Sequence, residues 1–270
     1  MTGPAANPAG SGAGPRFLIV AATAGELDPL RAALGPAGTL VPPPDFLCCG
    51  VGPTAAAAAL AACLAPRPEA YAAVIVAGVA GAYPPLTAPT PGGSAAASAE
   101  HPHPGLLDIC LAQREVLGDF GVAAGHGAEP FGRPELDVGR EFSLDTPILQ
   151  EAVKILRRLR IPFYCGTFVT VNAASSTLER GRALARRHRG LCENMEGAAA
   201  ALVCRNFQRP LLEIRCVSNM VEDRDPGRWR LAEAIRANTD VLGRLLPELA
   251  AAWPGSARSG PDRKQKGWQP

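Results

Sequence analysis

The chain has 270 residues, 47% of them hydrophobic and 19% charged. That is enough apolar material for one large α/β domain or two small ones, and it excludes wholesale disorder. Its 27 Lys+Arg against 25 Asp+Glu leave a net charge of only +2, which argues against a dedicated nucleic-acid binder. Residues 255–270 hold Arg258, Arg263, Lys264 and Lys266 against Asp262, so the slight basicity sits in a tail. Eight cysteines are scattered through apolar segments without CxxC spacing, which disfavours a zinc or dithiol site and reads as reduced core thiols. The longest run of small apolar residues, 55–65, is too short to span a bilayer. No basic stretch followed by an apolar one opens the chain, so the expectation is a cytoplasmic protein with neither membrane nor nucleic-acid partners.

In chain order, residues 1–15 are uncharged and mostly Gly, Ala, Pro and Ser, and read as a disordered leader. Order begins at 16–22, a continuous apolar run of the kind that makes a strand buried on both faces. A loop with Gly25 leads into a helix ending near 34. Residues 46–50 form a second strand, and the turn Gly50-Val-Gly52-Pro opens an Ala-rich helix over 55–65. Residues 74–77 are a third strand, ending in Gly78-Val-Ala-Gly81. The Pro/Ala/Ser/Gly stretch 83–104 lacks periodicity and reads as a flexible insert. A strand follows at 107–112, then an irregular Gly-rich region over 118–142. An amphipathic helix runs from 147 to 159, a strand from 163 to 171, and a basic helix from 178 to 188. A short segment at 191–195 precedes a small-residue helix at 197–206. The last strand spans 211–217. A long helix, 229–251, closes the fold, with Pro247 expected to kink or stop it.

This alternation predicts a single domain over 16–253, a three-layer α/β/α fold with a mixed, largely parallel central sheet, followed by a disordered basic tail over 254–270. In such sheets ligands gather at the carboxyl ends of the strands. Three polar residues stand there: Glu26 after the first strand, Glu196 before the small-residue helix, and Asn219 after the last strand. Each has a plain alternative reading, since an acid at a helix N-terminus offsets the macrodipole. Together they make a polar, metal-free site. No histidine stands beside a nucleophile at a strand end, which disfavours a Ser-His or Cys-His hydrolase.

The ordered set of motifs resembles the purine nucleoside phosphorylase/nucleosidase family. Asn194-Met195-Glu196-Gly-Ala-Ala is similar to its M-E-x-A motif, and Arg215-Cys-Val-Ser218-Asn219 to its R-x-x-S-[DN] segment. Ala22-Thr-Ala-Gly-Glu26 resembles the first strand-to-loop element with its catalytic glutamate. Cys49-Gly50-Val-Gly52 and Gly78-Val79-Ala-Gly81 resemble the two Gly turns, and Gly166-Thr-Phe-Val-Thr-Val171-Asn172 the base-side strand. The stretch 213–225, with Trp229, is similar to a branch distinct from the methylthioadenosine/S-adenosylhomocysteine nucleosidases, which carry Asp where this chain has Asn219.

The resemblance implies cleavage of an N-glycosidic bond with no metal or cofactor. Glu196 would bind ribose hydroxyls, Met195 would pack on the ribose, and Glu26 would activate water. Asn219 would face the base; its amide N–H suits a 6-oxo purine, whereas Asp suits a 6-amino one. Gly52, Val79, Gly81, Val171, Asn172, Asn194 and Ser218 complete the expected substrate contacts. Phe131 and the region 118–142 are candidates for the 5′ side. The loops at 22–27, 50–54 and 78–83 carry no Arg or Lys, which favours water over phosphate as nucleophile. Nucleosidase, phosphorylase and non-catalytic nucleoside-binding readings are the alternatives, and a homodimer or higher homo-oligomer is the expected assembly.

Overall fold

A computed structural model describes residues 16–35, 40, 42–85, 103–125, 127–133 and 139–253. The expected leader, the basic tail and most of the expected insert lie outside the described residues.

Strand β1 (Phe17–Ala21) is buried at every position. Phe17, Ile19 and Ala21 pack into one apolar cluster and Leu18 and Val20 into another, as a strand with two covered faces must. The first cluster holds helices α1 (Ala24–Leu34), α3 (Pro147–Arg158) and α6 (Leu231–Ala252). The second holds α2 (Pro53–Leu64) and α5 (Gly197–Asn206). This is the expected three-layer arrangement. A small third cluster lies beneath α4 (Leu178–His188), built on Tyr83, Val169, Val171, Leu184, Ala185 and Val221.

The sheet is mixed and largely parallel. Strand β2 (Asp45–Cys48) flanks β1, which pairs in parallel with β3 (Ala73–Ala82). Strand β4 (Ile109–Leu117) runs parallel to β8 (Tyr164–Thr170), and β8 to β9 (Gly190–Asn194). Strand β10 (Leu211–Met220) pairs with β3 in parallel and with β4 in the opposite sense, while β3 meets β9 antiparallel. Five strands, β10, β4, β8, β9 and β3, therefore close on one another.

Closure explains why β3 and β10 run past their expected ends at 77 and 217. The Gly-rich end of β3 lacks the hydrophobicity of a strand, yet it is clamped between β10 and β9. The region 118–142 is also less irregular than expected. It contains the hairpin β5 (Val122–Ala124) and β6 (Gly127–Glu129), and β7 (Glu141–Ser143) adds to β4. Phe131 packs edge-on against Phe120 at 5.7 Å. Pro247 does not stop α6, which continues to Ala252. Leu245, Leu246 and Leu249 are fully buried around it, and their packing outweighs the hydrogen bond that proline removes.

Candidate active site

Glu26 is the third residue of α1 and completes a capping box. Its Oε2 accepts from the Thr23 backbone N–H at 3.1 Å and from the Thr23 hydroxyl at 2.9 Å. The plain reading of Glu26 as a cap is thus part of the truth. Its other oxygen reaches across the sheet, where Oε1 accepts from the Val79 backbone N–H at 3.1 Å. Gly78 permits that approach. A Cβ there would sit 2.7 Å from Glu26 Oε1, and its φ of +158° suits few other residues.

Glu196 stands at the N-cap of α5 and is 5% exposed. Its Oε1 accepts from the Gly52 N–H at 3.1 Å and its Oε2 from Arg215 Nη2 at 3.2 Å. Gly52 adopts a φ of +95°, which turns that N–H at the entry to α2 towards the carboxylate. Arg215 is 3% exposed and serves several acceptors. Its Nη1 donates to the Val79 carbonyl at 3.0 Å and its Nε to Glu213 at 2.7 Å. Arg215 thereby lies between Glu26 and Glu196, and its Nη1 is 3.5 Å from the Gly78 position that Glu26 also crowds.

Asn194 faces inward. Its Oδ1 accepts from the Glu196 and Gly197 N–H groups at 2.9 and 2.7 Å, and its Nδ2 donates to Glu115 at 2.6 Å. Glu115 also accepts from the Thr170 hydroxyl at 2.8 Å. Burial, then the nearby Glu213, pushes the Glu115 carboxyl well above its ordinary range. Burial also raises Glu213, against the pull of Arg215. Cys49 borders Glu196; burial, first, raises its thiol to about 12, so it stays protonated at neutral pH.

A second group of polar residues forms at the ends of β3, β9 and β10. The Ser218 hydroxyl donates to Asn219 Oδ1 at 2.9 Å, and Asn219 Nδ2 donates to the Met220 carbonyl at 3.3 Å. Gly81 makes room, because a Cβ there would lie 3.0 Å from Asn219 Nδ2. Glu193 sits opposite Gly81 and accepts from the Ser175 N–H at 2.9 Å. A shallow cleft opens beside Asn219, bordered by Ser175, Met220 and Trp229, with Arg224 stacked 5.1 Å over the Trp229 ring.

Three of the expected contacts point elsewhere: Asn194, turned inward onto Glu115, and Val171 and Asn172. Val171 is buried in the cluster beneath α4, against which Met195 also packs. Asn172 is exposed and bound to Asp119 through its backbone N–H at 3.0 Å and its Nδ2 at 3.1 Å. Three buried side chains, Glu115, Glu213 and Thr170, escaped sequence reasoning. Glu213 and Arg215, two apart in an otherwise apolar strand, were a usable signal: charges sharing one face of a buried strand must pair. Among the described residues no cluster of three or more His, Cys, Asp or Glu side chains is arranged to hold a metal ion.

A largely parallel sheet that closes on itself gathers buried carboxylates at its strand ends, a candidate acid–base site without a metal cluster among the described residues. The chain belongs to the phosphorylase superfamily, whose sequence pattern matches residues 38–251. Within it, the chain is 35% identical over 212 residues to the futalosine hydrolase of Thermus thermophilus, spanning 77% of this chain and 83% of that protein. It is 32% identical over 250 residues to the futalosine hydrolase of Streptomyces coelicolor, covering 86% and 96% respectively. In fold it resembles the Helicobacter pylori methylthioadenosine/S-adenosylhomocysteine nucleosidase, at a TM-score of 0.69 and 17% identity over 88% of this chain and all of that one. A futalosine hydrolase mutant from the same organism gives the same score and identity over 87% and 99%. At these identities the structural likeness is one of fold.

Proposed function

We propose that this chain hydrolyses the N-glycosidic bond of futalosine, releasing hypoxanthine and dehypoxanthine futalosine. The observation that carries this reading is the placement of two buried carboxylates, Glu26 and Glu196, on either side of Arg215. The names of the curated relatives supply the substrate.

In this reading water attacks C1′, and the bond from C1′ to the base nitrogen breaks with its electron pair leaving on hypoxanthine, which takes up a proton from solvent while Glu26 returns its own to solvent. Glu26 orients the water and takes its proton from hydrogen-bond distance. Glu196 holds the ribose hydroxyls and offsets the positive charge that develops on the sugar. Met195 packs on the ribose. Asn219 presents an amide N–H to the 6-oxo group or N7 of the leaving base, an arrangement that leaves a 6-amino purine poorly matched. Gly52, Val79 and Gly81 shape the floor, and Ser218 orients Asn219. Asn194 acts from behind Glu196. Val171 and Asn172 act by supporting the loop that follows β8. Water is favoured over phosphate because Arg215 is buried and bound to Glu213, Glu196 and Val79, while Glu26 repels an anion.

The same reading places the protein in menaquinone biosynthesis, in the cytoplasm, as a homo-oligomer with no nucleic-acid or membrane partner. Among the described residues no helix is long and apolar enough to cross a membrane. An apolar strip on α2, formed by the exposed Ala58 and Ala62 with Val51 beside it, is available to a second copy.

The test is base release by the purified chain from futalosine, inosine and methylthioadenosine, each with and without phosphate. Phosphate-independent hypoxanthine release that prefers futalosine is expected. Adenine release from methylthioadenosine instead overturns the base-side assignment, and absence of any release overturns the enzymatic reading.

A further inference from the structure

Glu115 and Glu213 reach the same point from different strands. Glu115 projects from β4 and Glu213 from β10, and both are fully buried. They meet beneath Gly197, the first residue of α5. A Cβ on Gly197 would lie 2.0 Å from Glu115 Oε1 and 2.5 Å from Glu213 Oε2. The two carboxyl groups thus fill the volume that the absent side chain leaves.

Glu213 Oε2 has no hydrogen-bond partner in this buried place. A bare acceptor facing a second carboxyl group away from water is costly, and two like charges cannot both persist there. One proton between the two groups removes both penalties. Glu213 Oε1 already holds Arg215 Nε at 2.7 Å, which favours its ionised form. The proton therefore rests on Glu115.

The pair is joined to Glu196 through one intervening residue on two sides. Glu115 Oε1 holds Asn194 Nδ2, and Asn194 Oδ1 holds the Glu196 N–H. Glu213 holds Arg215, and Arg215 holds the Glu196 carboxylate. Backbone and side chain of Glu196 are thus both anchored on one acid pair. We propose that Glu115 and Glu213 share one proton and are positioning residues, which fix Glu196 through Asn194 and Arg215. The consequence for catalysis rests on the reading of Glu196 as the ribose-holding carboxylate.

Three variants and two readouts test it. Glu115→Ala is expected to lower kcat on the order of 10²-fold, since ångström-scale displacement of a catalytic group costs that much. Glu115→Gln returns an N–H donor at the same place and is expected to rescue most of that loss. Glu213→Gln removes the negative partner of Arg215 and is expected to lower kcat without rescue. The second readout needs no substrate. Infrared spectra of the wild-type chain should contain the carbonyl stretch of a buried protonated carboxylic acid, and Glu115→Gln should abolish it. A band that survives Glu115→Gln overturns the shared proton, even if Glu115→Ala fails to fold. A folded Glu115→Ala chain with unchanged kcat overturns the positioning role. Failure of the wild-type chain to release any base refutes instead the proposed function, and leaves the infrared test of the pair standing.

Discussion

Arg215 Nη2 meets Glu196 Oε2 at 3.2 Å, and the two side chains are only 3% and 7% exposed. Removing both charges from water costs most of what their attraction returns, so such a pair is maintained for its geometry more than for net stability. Here one guanidinium also binds Glu213 and the Val79 carbonyl, and Val79 in turn donates to Glu26. The positions of Glu26 and Glu196 depend on the same cation.

Arg215→Ala is therefore expected to destabilise the chain by about 3–5 kcal/mol, because it strands buried carboxylates without a counter-charge. Denaturant unfolding measures this directly. A loss below about 1 kcal/mol, the range of exposed pairs, contradicts the arrangement.

Glu26→Gln keeps the size of the side chain, but turns one of two acceptor oxygens into an amide donor and cannot take a proton. Its kcat is expected to fall by about 10²–10⁴-fold, the usual contribution of a general base, with KM little changed. Steady-state hypoxanthine release decides the point; an equal loss in both parameters would mark Glu26 as a structural cap.

Asn219→Asp exchanges an amide N–H for a group that can accept from a 6-amino substituent. The ratio of adenine to hypoxanthine release is expected to rise by at least about tenfold, the effect of roughly 1.4 kcal/mol at a buried hydrogen bond. Competition between inosine and adenosine measures the ratio, and an unshifted preference removes Asn219 from base recognition.

Stability should fall as pH rises from weakly acidic towards neutral. The folded chain raises the Glu115 carboxyl, through burial first and Glu213 next, so it retains a proton that the unfolded chain releases above about pH 4.3. Where the folded state binds the extra proton, stability declines with pH by up to about 1.4 kcal/mol per unit. The groups facing Glu115 are Glu213 and Arg215 on β10, Thr170 on β8 and Asn194 on β9. Glu115→Gln should flatten the decline between roughly pH 5 and 7. Parallel curves for the two chains would locate the proton elsewhere.

Much of this molecule was legible in the sequence where the signal was local. The apolar run at 16–22 announced β1, whereas Gly25 was expected in a loop and instead lies inside α1, which the capping box of Thr23 and Glu26 starts at Ala24. The strong periodicity of 147–159 announced α3. Glu26, Glu196 and Asn219 could be named because acids and amides at strand ends are chemically conspicuous. Asn194 was named as a substrate contact, but its amide turns into the protein, because the register of β9 against β3 and β8 points it at Glu115.

The sequence by itself determined the layers, the order of the elements and the residue types available at the strand ends. These follow from hydrophobic periodicity and turn chemistry, which act over a few residues. Only the tertiary structure decided that β10 closes on both β3 and β4, and that Glu115 and Glu213, far apart in the chain, meet beneath Gly197. Such pairings depend on strand register and on the space left by a missing side chain. Both are properties of the whole packed core, because burial obliges every charge inside it to find a partner or a proton.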